Sequence, residues 1–170
     1  VLETITMKEI TLTRGFVALV DDEDYERLNC HKWYTSHWHD HHCCYASRDE
    51  RIGGRRKHIE MHRVITNAQG KESVDHINHD GLDNRRQNLR ICTNAENIRN
   101  AKIQTGKKKT SKYKGVCWSS ERRKWRSSIM INYHHIALGR FIREEDAAKT
   151  YDSAAIKYFG EFANTNFRRG

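Results

Sequence analysis

Val74 to Asn100 reads VDHINHDGLDNRRQNLRICTNAENIRN, and the fold turns on how this stretch is parsed. Val74, Asp75 and His76 stand at an expected strand end, because the HDGLDN run that follows is built from turn-favouring residues. Neighbouring side chains on a strand point to opposite faces, so Asp75 and His76 share one site only where the strand ends or bends. A second short strand is expected over Asn88 to Cys92. After it, Thr93-Asn94-Ala95-Glu96 has the signature of a capping box, with Thr93 as N-cap and Glu96 at the third helical position. Asn97 then falls just over one turn into a helix, where asparagine has no propensity advantage, so a task other than helix formation is expected of it. A neutral imidazole beside a carboxylate suits a general base next to a hard cation. An amide oxygen from Asn97, aimed at Asp75, supplies a second protein ligand for an octahedral ion of the Mg²⁺ type, which keeps waters and takes phosphate oxygens. His79, Asp80 and Asp83 read as solvated loop residues.

Upstream, residues 4–20, TITMKEITLTRGFVALV, carry β-branched runs on either side of Arg14-Gly15 and read as a hairpin. DDEDYERL follows as a short acidic helix start. From Trp33 to Ile65 aromatic, polar and basic residues alternate, with Gly53-Gly54 as a turn before RRKHIEMHRVI, which reads as more strand. His37, His39 and His41 of HWHDHHCC would share one strand face, and imidazole with thiolate favours zinc or a similar ion, so this stretch is a competing metal candidate. Downstream, residues 101–112 (AKIQTGKKKTSK) are polar and basic and read as a linker. Three short strands, YKGVCW, KWRSSIMI and HHIALGRF, come next, then a helix over EEDAAKTYDSAAIKYFG that opens on acidic residues and stops at Gly160. In the second of these strands Trp125, Ile129 and Ile131 fall on one face, to pack on Ala148, Tyr151 and Ala155 of the helix. Arg126, Ser128 and Met130 fall on the other.

The chain's 170 residues suit one ordinary domain or two small ones. Its net charge of +9 is unevenly placed: residues 1–60 hold 9 basic and 11 acidic side chains, whereas residues 101–170 hold 16 and 6, a net +10. A polyanionic partner is therefore expected at the C-terminal end. Five cysteines without a CxxC pair argue against a disulfide framework or a four-cysteine zinc site, and point to a reduced, cytoplasmic setting. No apolar run approaches a bilayer span, so no membrane partner is expected.

The Asp75-His76, Asn88-Leu89-Arg90 and Asn97 series resembles the ββα-metal motif of HNH homing-type endonucleases, firmly over about residues 55–100. Over 5–55 the likeness is looser, through the FVALVDDEDYERL…KWY segment of phage and bacterial relatives. The resemblance implies that Asp75 and Asn97 hold one divalent cation, Mg²⁺ or Mn²⁺, that His76 activates water, and that Asn88 pins the loop between the strands. His62, in a His-Arg-apolar context, matches a histidine the family carries ahead of the motif. From Ser111 to Phe167 the chain resembles the DNA-binding domain of plant ethylene-response factors (APETALA type), also found fused to HNH nucleases. This likeness rests on Tyr113-Lys114-Gly115-Val116, Lys124-Trp125-Arg126, Leu138-Gly139-Arg140-Phe141, Ala147-Ala148, Tyr151-Asp152, Ala154-Ala155 and Asn164-Thr165-Asn166-Phe167. It implies a three-stranded antiparallel sheet laid in the major groove and backed by one helix.

On that surface Lys114, Arg126 and His135 are expected to face the bases, with Arg122, Arg123 and Lys124 nearer the phosphates. Cys117, Ser119 and Ala137 depart from the plant pattern, so the recognition sequence does not carry over. The expected architecture is α+β: N-terminal strands over 1–54, an HNH ββα-metal core over 55–100, a linker over 101–112 and the reader domain over 113–170. The expected activity is metal-dependent hydrolysis of duplex DNA by a monomer, of homing or restriction type, nicking one strand per binding event. A non-catalytic DNA-binding regulator on an HNH scaffold and an RNA-directed nuclease are the competing readings.

Overall fold

A computed structural model describes residues 6–37, 44–100 and 109–167. The chain divides into two compact units, Val1–Asn97 and Ile98–Gly170, and the architecture is α+β in both.

The first unit opens with β1 (Met7–Thr11) and β2 (Val17–Asp21), antiparallel across a turn in which Arg14 and Gly15 both take positive φ. Helix α1 (Asp22–Asn29) starts with three acidic residues, which suit a helix N-terminus. A second sheet follows, in the order β3 (Tyr34–His37), β4 (Cys44–Ile52) and β5 (Arg55–Glu60), all antiparallel. The Gly53-Gly54 turn, expected from the sequence, lies inside the β4–β5 hairpin. The stretch RRKHIEMHRVI is strand only as far as Glu60. Its second half is helix α2 (Met61–Thr66), which buries Met61, His62 and Ile65, a face with i to i+4 spacing. One hydrophobic core joins Ile10, Leu12, Ala18 and Val20 of the first hairpin to Leu28, Trp33, Ala46, Met61, Ile65 and Leu89.

The site segment is laid on this core. β6 (Ser73–His76) and β7 (Leu89–Cys92) form an antiparallel pair, and α3 (Asn94–Asn100) follows. The intervening loop adds to the edge of β2: Leu19 N–H donates to Leu82 O at 2.9 Å and Asn84 N–H to Leu19 O at 2.8 Å. Deeper in the chain, the Arg86 guanidinium reaches the buried Asp24 carboxylate at 2.8 and 2.9 Å, and Arg27 donates to the same group at 2.9 Å. Burial pushes the Asp24 carboxyl up, but the hydrogen bonds and charges of Arg86 and Arg27 outweigh it and hold the group below its ordinary value.

That direction sets a pH dependence. A carboxylate lowered by folding stabilises the native state above its unfolded pKa of about 3.9, and the contribution is lost as pH falls towards the folded value. Because both guanidinium partners reach solvent, removing the carboxylate is expected to cost about 1–2 kcal/mol at neutral pH, less than for a fully buried pair. Melting curves of Asp24→Asn against the wild type should differ most at pH 7 and draw together as pH falls below the ordinary carboxylate range. Equal destabilisation at neutral and low pH would show that packing, not charge, is responsible.

The second unit is a three-stranded antiparallel sheet, β8 (Val116–Ser119), β9 (Lys124–Ile131) and β10 (His134–Phe141), with β9 in the centre. Helix α4 (Glu144–Phe159) covers one face and ends at Gly160, which has positive φ. Ile129, Tyr151, Ala154, Ala155 and Ala163 form one buried cluster, and Val116, Ala147 and Ala148 another against Trp125 and Phe141. Gly115 has positive φ, and a Cβ there would lie 1.9 Å from the Tyr151 ring. The terminal segment closes the unit: Asn166 accepts from Lys114 N–H at 2.6 Å, and Asp152 accepts from the Asn166 and Phe167 amides at 2.8 and 3.0 Å. Of the sequence-read linker, residues 101–108 lie outside the described residues, as do residues 38–43 of the His/Cys-rich stretch. Among the described residues, no helix is long and apolar enough to cross a membrane.

Candidate active site

β6 ends where the turn residues predict, and both Asp75 and His76 are buried at its last two positions. Register places Arg90 of β7 directly opposite Asp75, and its guanidinium donates to Asp75 Oδ2 at 2.9 Å from Nε and 2.6 Å from Nη2. Two guanidinium donors converging on one carboxylate oxygen make a charge-assisted contact that holds Asp75 in place. Sequence reasoning named Arg90 within the motif but gave it no role, because only strand pairing reveals which residue stands across from Asp75.

Beyond His76 the loop is tied to itself. Asn88 is buried, accepts from Asn78 N–H at 3.0 Å, and donates its amide to Asp83 O at 2.7 Å. Asp83 is not a solvated loop residue: it is buried, and its carboxylate takes hydrogen bonds from Arg85 at 2.8 and 2.7 Å and from Asn78 at 2.8 Å. Asp80 is exposed, and His79, half-buried, adopts a positive φ. On the far side of β7, Thr93 Oγ1 accepts from Glu96 N–H at 3.3 Å, while Thr93 N–H donates to the Glu96 carboxylate at 2.8 Å. This is the reciprocal capping box, and Asn97 follows it, its own N–H bonded to Thr93 O at 3.0 Å.

His76 is 5% exposed, and its Nε2 is buried with no hydrogen-bond partner. Burial, with the nearby charge of His62, pushes its pKa down to about 4, against the weaker opposing pull of Asn84, Asp75 and Asp80. The ring is therefore neutral at pH 7 and holds a lone pair, as a base requires. Three rings meet here. The His62 and His76 centroids are 5.1 Å apart and nearly perpendicular, and Tyr45 lies 5.2 Å from the first and 5.6 Å from the second. His62 Nε2 is 3.4 Å from the Glu60 carboxylate, and its hydrogen bond there is the main influence holding Glu60 below its ordinary pKa. Sequence reasoning reached His62 only through the resemblance and did not single out Tyr45.

The donor chemistry suits a hard divalent cation. Asp75, buried at the end of β6, and Asn97, early in α3, both carry oxygen donors, and the buried His76 Nε2 is a polar atom of the kind a bound water satisfies. Among the described residues, no group of three or more His, Cys, Asp and Glu gathers that could hold a metal. An Mg²⁺-type ion needs fewer, since it takes one or two carboxylates and fills the remainder with water and phosphate. The buried Cys92 thiol, raised to about 11 chiefly by desolvation, is protonated at neutral pH and is no thiolate ligand.

On the second unit, the sheet face away from α4 carries Cys117, Arg126 and Arg140 in one cross-strand row. Arg126, Arg140, Met130 and His135 are exposed on it, and Arg122, Arg123 and Lys124 are exposed in or beside the β8–β9 turn. Lys114 stands apart from these residues. It lies in the turn before β8, is half-buried, and its ammonium donates to the Arg99 carbonyl at 2.7 Å. Burial, with the charge of Lys109, lowers its pKa to about 8. In this structure the Lys114 ammonium is thus bonded to the backbone. Arg140 takes a place there that alternation did not predict: a bulge between Ala137 and Gly139 shifts the register, so that Arg140 pairs with Arg126 and turns outward.

Comparison with known proteins agrees with the geometry of the first unit. Residues 61–99 match the family model described as HNH endonuclease. An uncharacterised HNH endonuclease of Acanthamoeba polyphaga mimivirus is 37% identical over 114 residues, covering 64% of this chain and 57% of that protein. Protein 3.8 of Escherichia phage T7 is 36% identical over 75 residues, 44% of this chain and 60% of that protein. The chain thus spans little more than half the length of these two relatives. An AP2/ERF and B3 domain-containing protein of Oryza sativa subsp. japonica is 43% identical over 58 residues, 34% of this chain but only 16% of the rice protein. The strand pair that ends in Asp75-His76, the Asn88-pinned loop and the capped helix bearing Asn97 all fall in or beside residues 61–99, the stretch that matches the HNH endonuclease family model.

Proposed function

We propose that this chain is a metal-dependent DNA endonuclease that hydrolyses one phosphodiester of a duplex per binding event, with the second unit as its DNA reader. The observation that carries the reading is His76: a buried, neutral imidazole with an unpartnered Nε2, set next to a buried carboxylate at a strand end. When bound, a divalent cation of the Mg²⁺ class, held by the Asp75 carboxylate and the Asn97 amide oxygen, supplies charge neutralisation at the scissile phosphate and leaving oxygen. His76 takes a proton from water at Nε2, and the oxygen so freed attacks phosphorus in line with the departing oxygen. Arg90 keeps Asp75 aimed, and Asn88 holds the loop that follows the base.

The reader assignment is supported by the likeness of about a third of the chain to plant AP2/ERF proteins and by the solvent-facing row of Arg126 and Arg140. Arginines there can pair with guanine edges, and Arg122, Arg123 and Lys124 can meet backbone phosphates. One Asp75/His76/Asn97 constellation acts on one strand, and no apolar heptad run offers a coiled-coil dimer. Supercoiled plasmid treated with the purified chain and Mg²⁺ is therefore expected to accumulate open circles before linear product, and chelation should stop both. Linear DNA formed at once, with second-order dependence on enzyme, would overturn the monomeric nicking scheme. Cleavage indifferent to chelator would overturn the metal assignment.

A further inference from the structure

The base does not hold its orientation by hydrogen bonding at Nε2, since that atom is buried without a partner. Packing shares that task with the Asn84 side chain, which also acts on the ring. The three ring centroids of Tyr45, His62 and His76 form a triangle with sides of 5.1, 5.2 and 5.6 Å. Two of its corners are themselves held. His62 is buried, with Nε2 3.4 Å from the Glu60 carboxylate. Tyr45 is pressed from the loop side by the Gly81 backbone: a Cβ at Gly81 would come within 2.8 and 2.9 Å of Tyr45 Cδ1 and Cε1, and 2.3 Å of the Cys44 carbonyl. Gly81 belongs to the same loop that Asn88 pins through Asn78 and Asp83. The Tyr45 ring thus occupies the space between the catalytic imidazole, its histidine neighbour and the loop after the base.

We propose that Tyr45, on β4 and outside the stretch matched to the HNH family, is a positioning residue that clamps His76 against His62 and sets the direction of its Nε2. A flat ring is what the space requires. Phenylalanine preserves the plate, whereas leucine removes it and leaves His76 free to tilt. The expected cost is in the chemical step and not in binding, because Tyr45 packs on the base in the first unit, while the basic residues expected to grip the duplex belong to the second. A misaim of about an ångström at a catalytic group can cost on the order of 100-fold in rate. The proposal rests on the nuclease reading for its consequence, but its geometric core does not.

The test uses the full chain as wild type, Tyr45→Phe and Tyr45→Leu, in two measurements. The first is the nuclear Overhauser effect between the His62 and His76 ring protons, with His76 assigned by His76→Gln. It is expected in the wild type and in Tyr45→Phe, and lost in Tyr45→Leu. The second is single-turnover nicking of plasmid with Mg²⁺, together with duplex affinity. Tyr45→Leu should lose about 10- to 100-fold in rate with affinity within about twofold, and Tyr45→Phe should recover most of the rate. Tyr45→Met, whose flexible chain fills the gap without a ring, replaces the leucine variant if circular dichroism shows that it does not fold. A ring-to-ring effect that persists in the leucine or methionine variant overturns the clamp, as does a loss of rate in Tyr45→Phe equal to that in Tyr45→Leu. A wild type that binds duplex but never nicks it sinks the nuclease reading instead, and the ring measurement then decides the clamp by itself.

Discussion

Replacing His76 with alanine is expected to lower the nicking rate by about 100- to 10,000-fold, the range over which a positioned general base contributes, while duplex affinity stays within a few-fold of wild type. The asymmetry follows from where the side chain sits. His76 is 5% exposed, so it offers little surface to DNA, and the basic residues expected to grip the duplex lie on the second unit, on a sheet of their own. Its ring nitrogen is neutral at pH 7, so its loss removes no charge from the binding surface. The burial that keeps it neutral also makes the alanine variant leave a cavity beside Tyr45 and His62, so a fall in melting temperature is expected as well. His76→Gln, closer in volume and able to hydrogen-bond but unable to act as a base at neutral pH, separates the two effects: it should remain slow while recovering stability. If affinity fell in parallel with rate in both variants, His76 would be a structural residue and the mechanism would fail.

What was legible in the sequence was local. Thr93 and Glu96 announce their capping box within four residues, and both hydrogen bonds form. The runs KWRSSIMI and HHIALGRF are β9 and β10 residue for residue, and the faces of Trp125, Ile129 and Ile131 follow from alternation alone. What was not legible depends on partners distant in sequence. Arg90 finds Asp75 through β6–β7 register, and Arg86 finds Asp24 across 62 positions. Met61–Thr66 reads as strand because six residues are too few to display a helical period, yet burying Met61, His62 and Ile65 together requires a helix. Arg140 is hidden by the bulge at Leu138, which inverts the alternation beyond it. Lys114 looks like any basic residue of that segment until its ammonium is found on the Arg99 carbonyl. Tyr45, on a strand far from the motif in sequence, has no local mark at all.

Ending the chain at Gly106 separates chemistry from address. The segment removed carries most of the +10 charge of residues 101–170, including Arg126, Arg140 and the Arg122-Arg123-Lys124 turn. Each phosphate that a lysine or arginine neutralises steepens the fall of affinity with salt by about 0.9 in a double-logarithmic plot, so losing several contacts flattens the slope by that amount each. Affinity for a duplex at low salt is expected to drop by roughly 100-fold or more, and the preference among sequences to vanish. Metal-dependent nicking, slow and poorly specific, should remain, because Asp75, His76, Asn88, Arg90 and Asn97 all lie in the retained first unit. The comparison to make is salt dependence, measured for full and shortened chains on the same duplex, since a merely destabilised nuclease unit would lose activity without changing its slope. An unaltered slope together with unaltered sequence preference would place the grip in the first unit, where the exposed Arg51, Arg55, Arg56 and Lys57 at the β4–β5 hairpin would be the groups to test next.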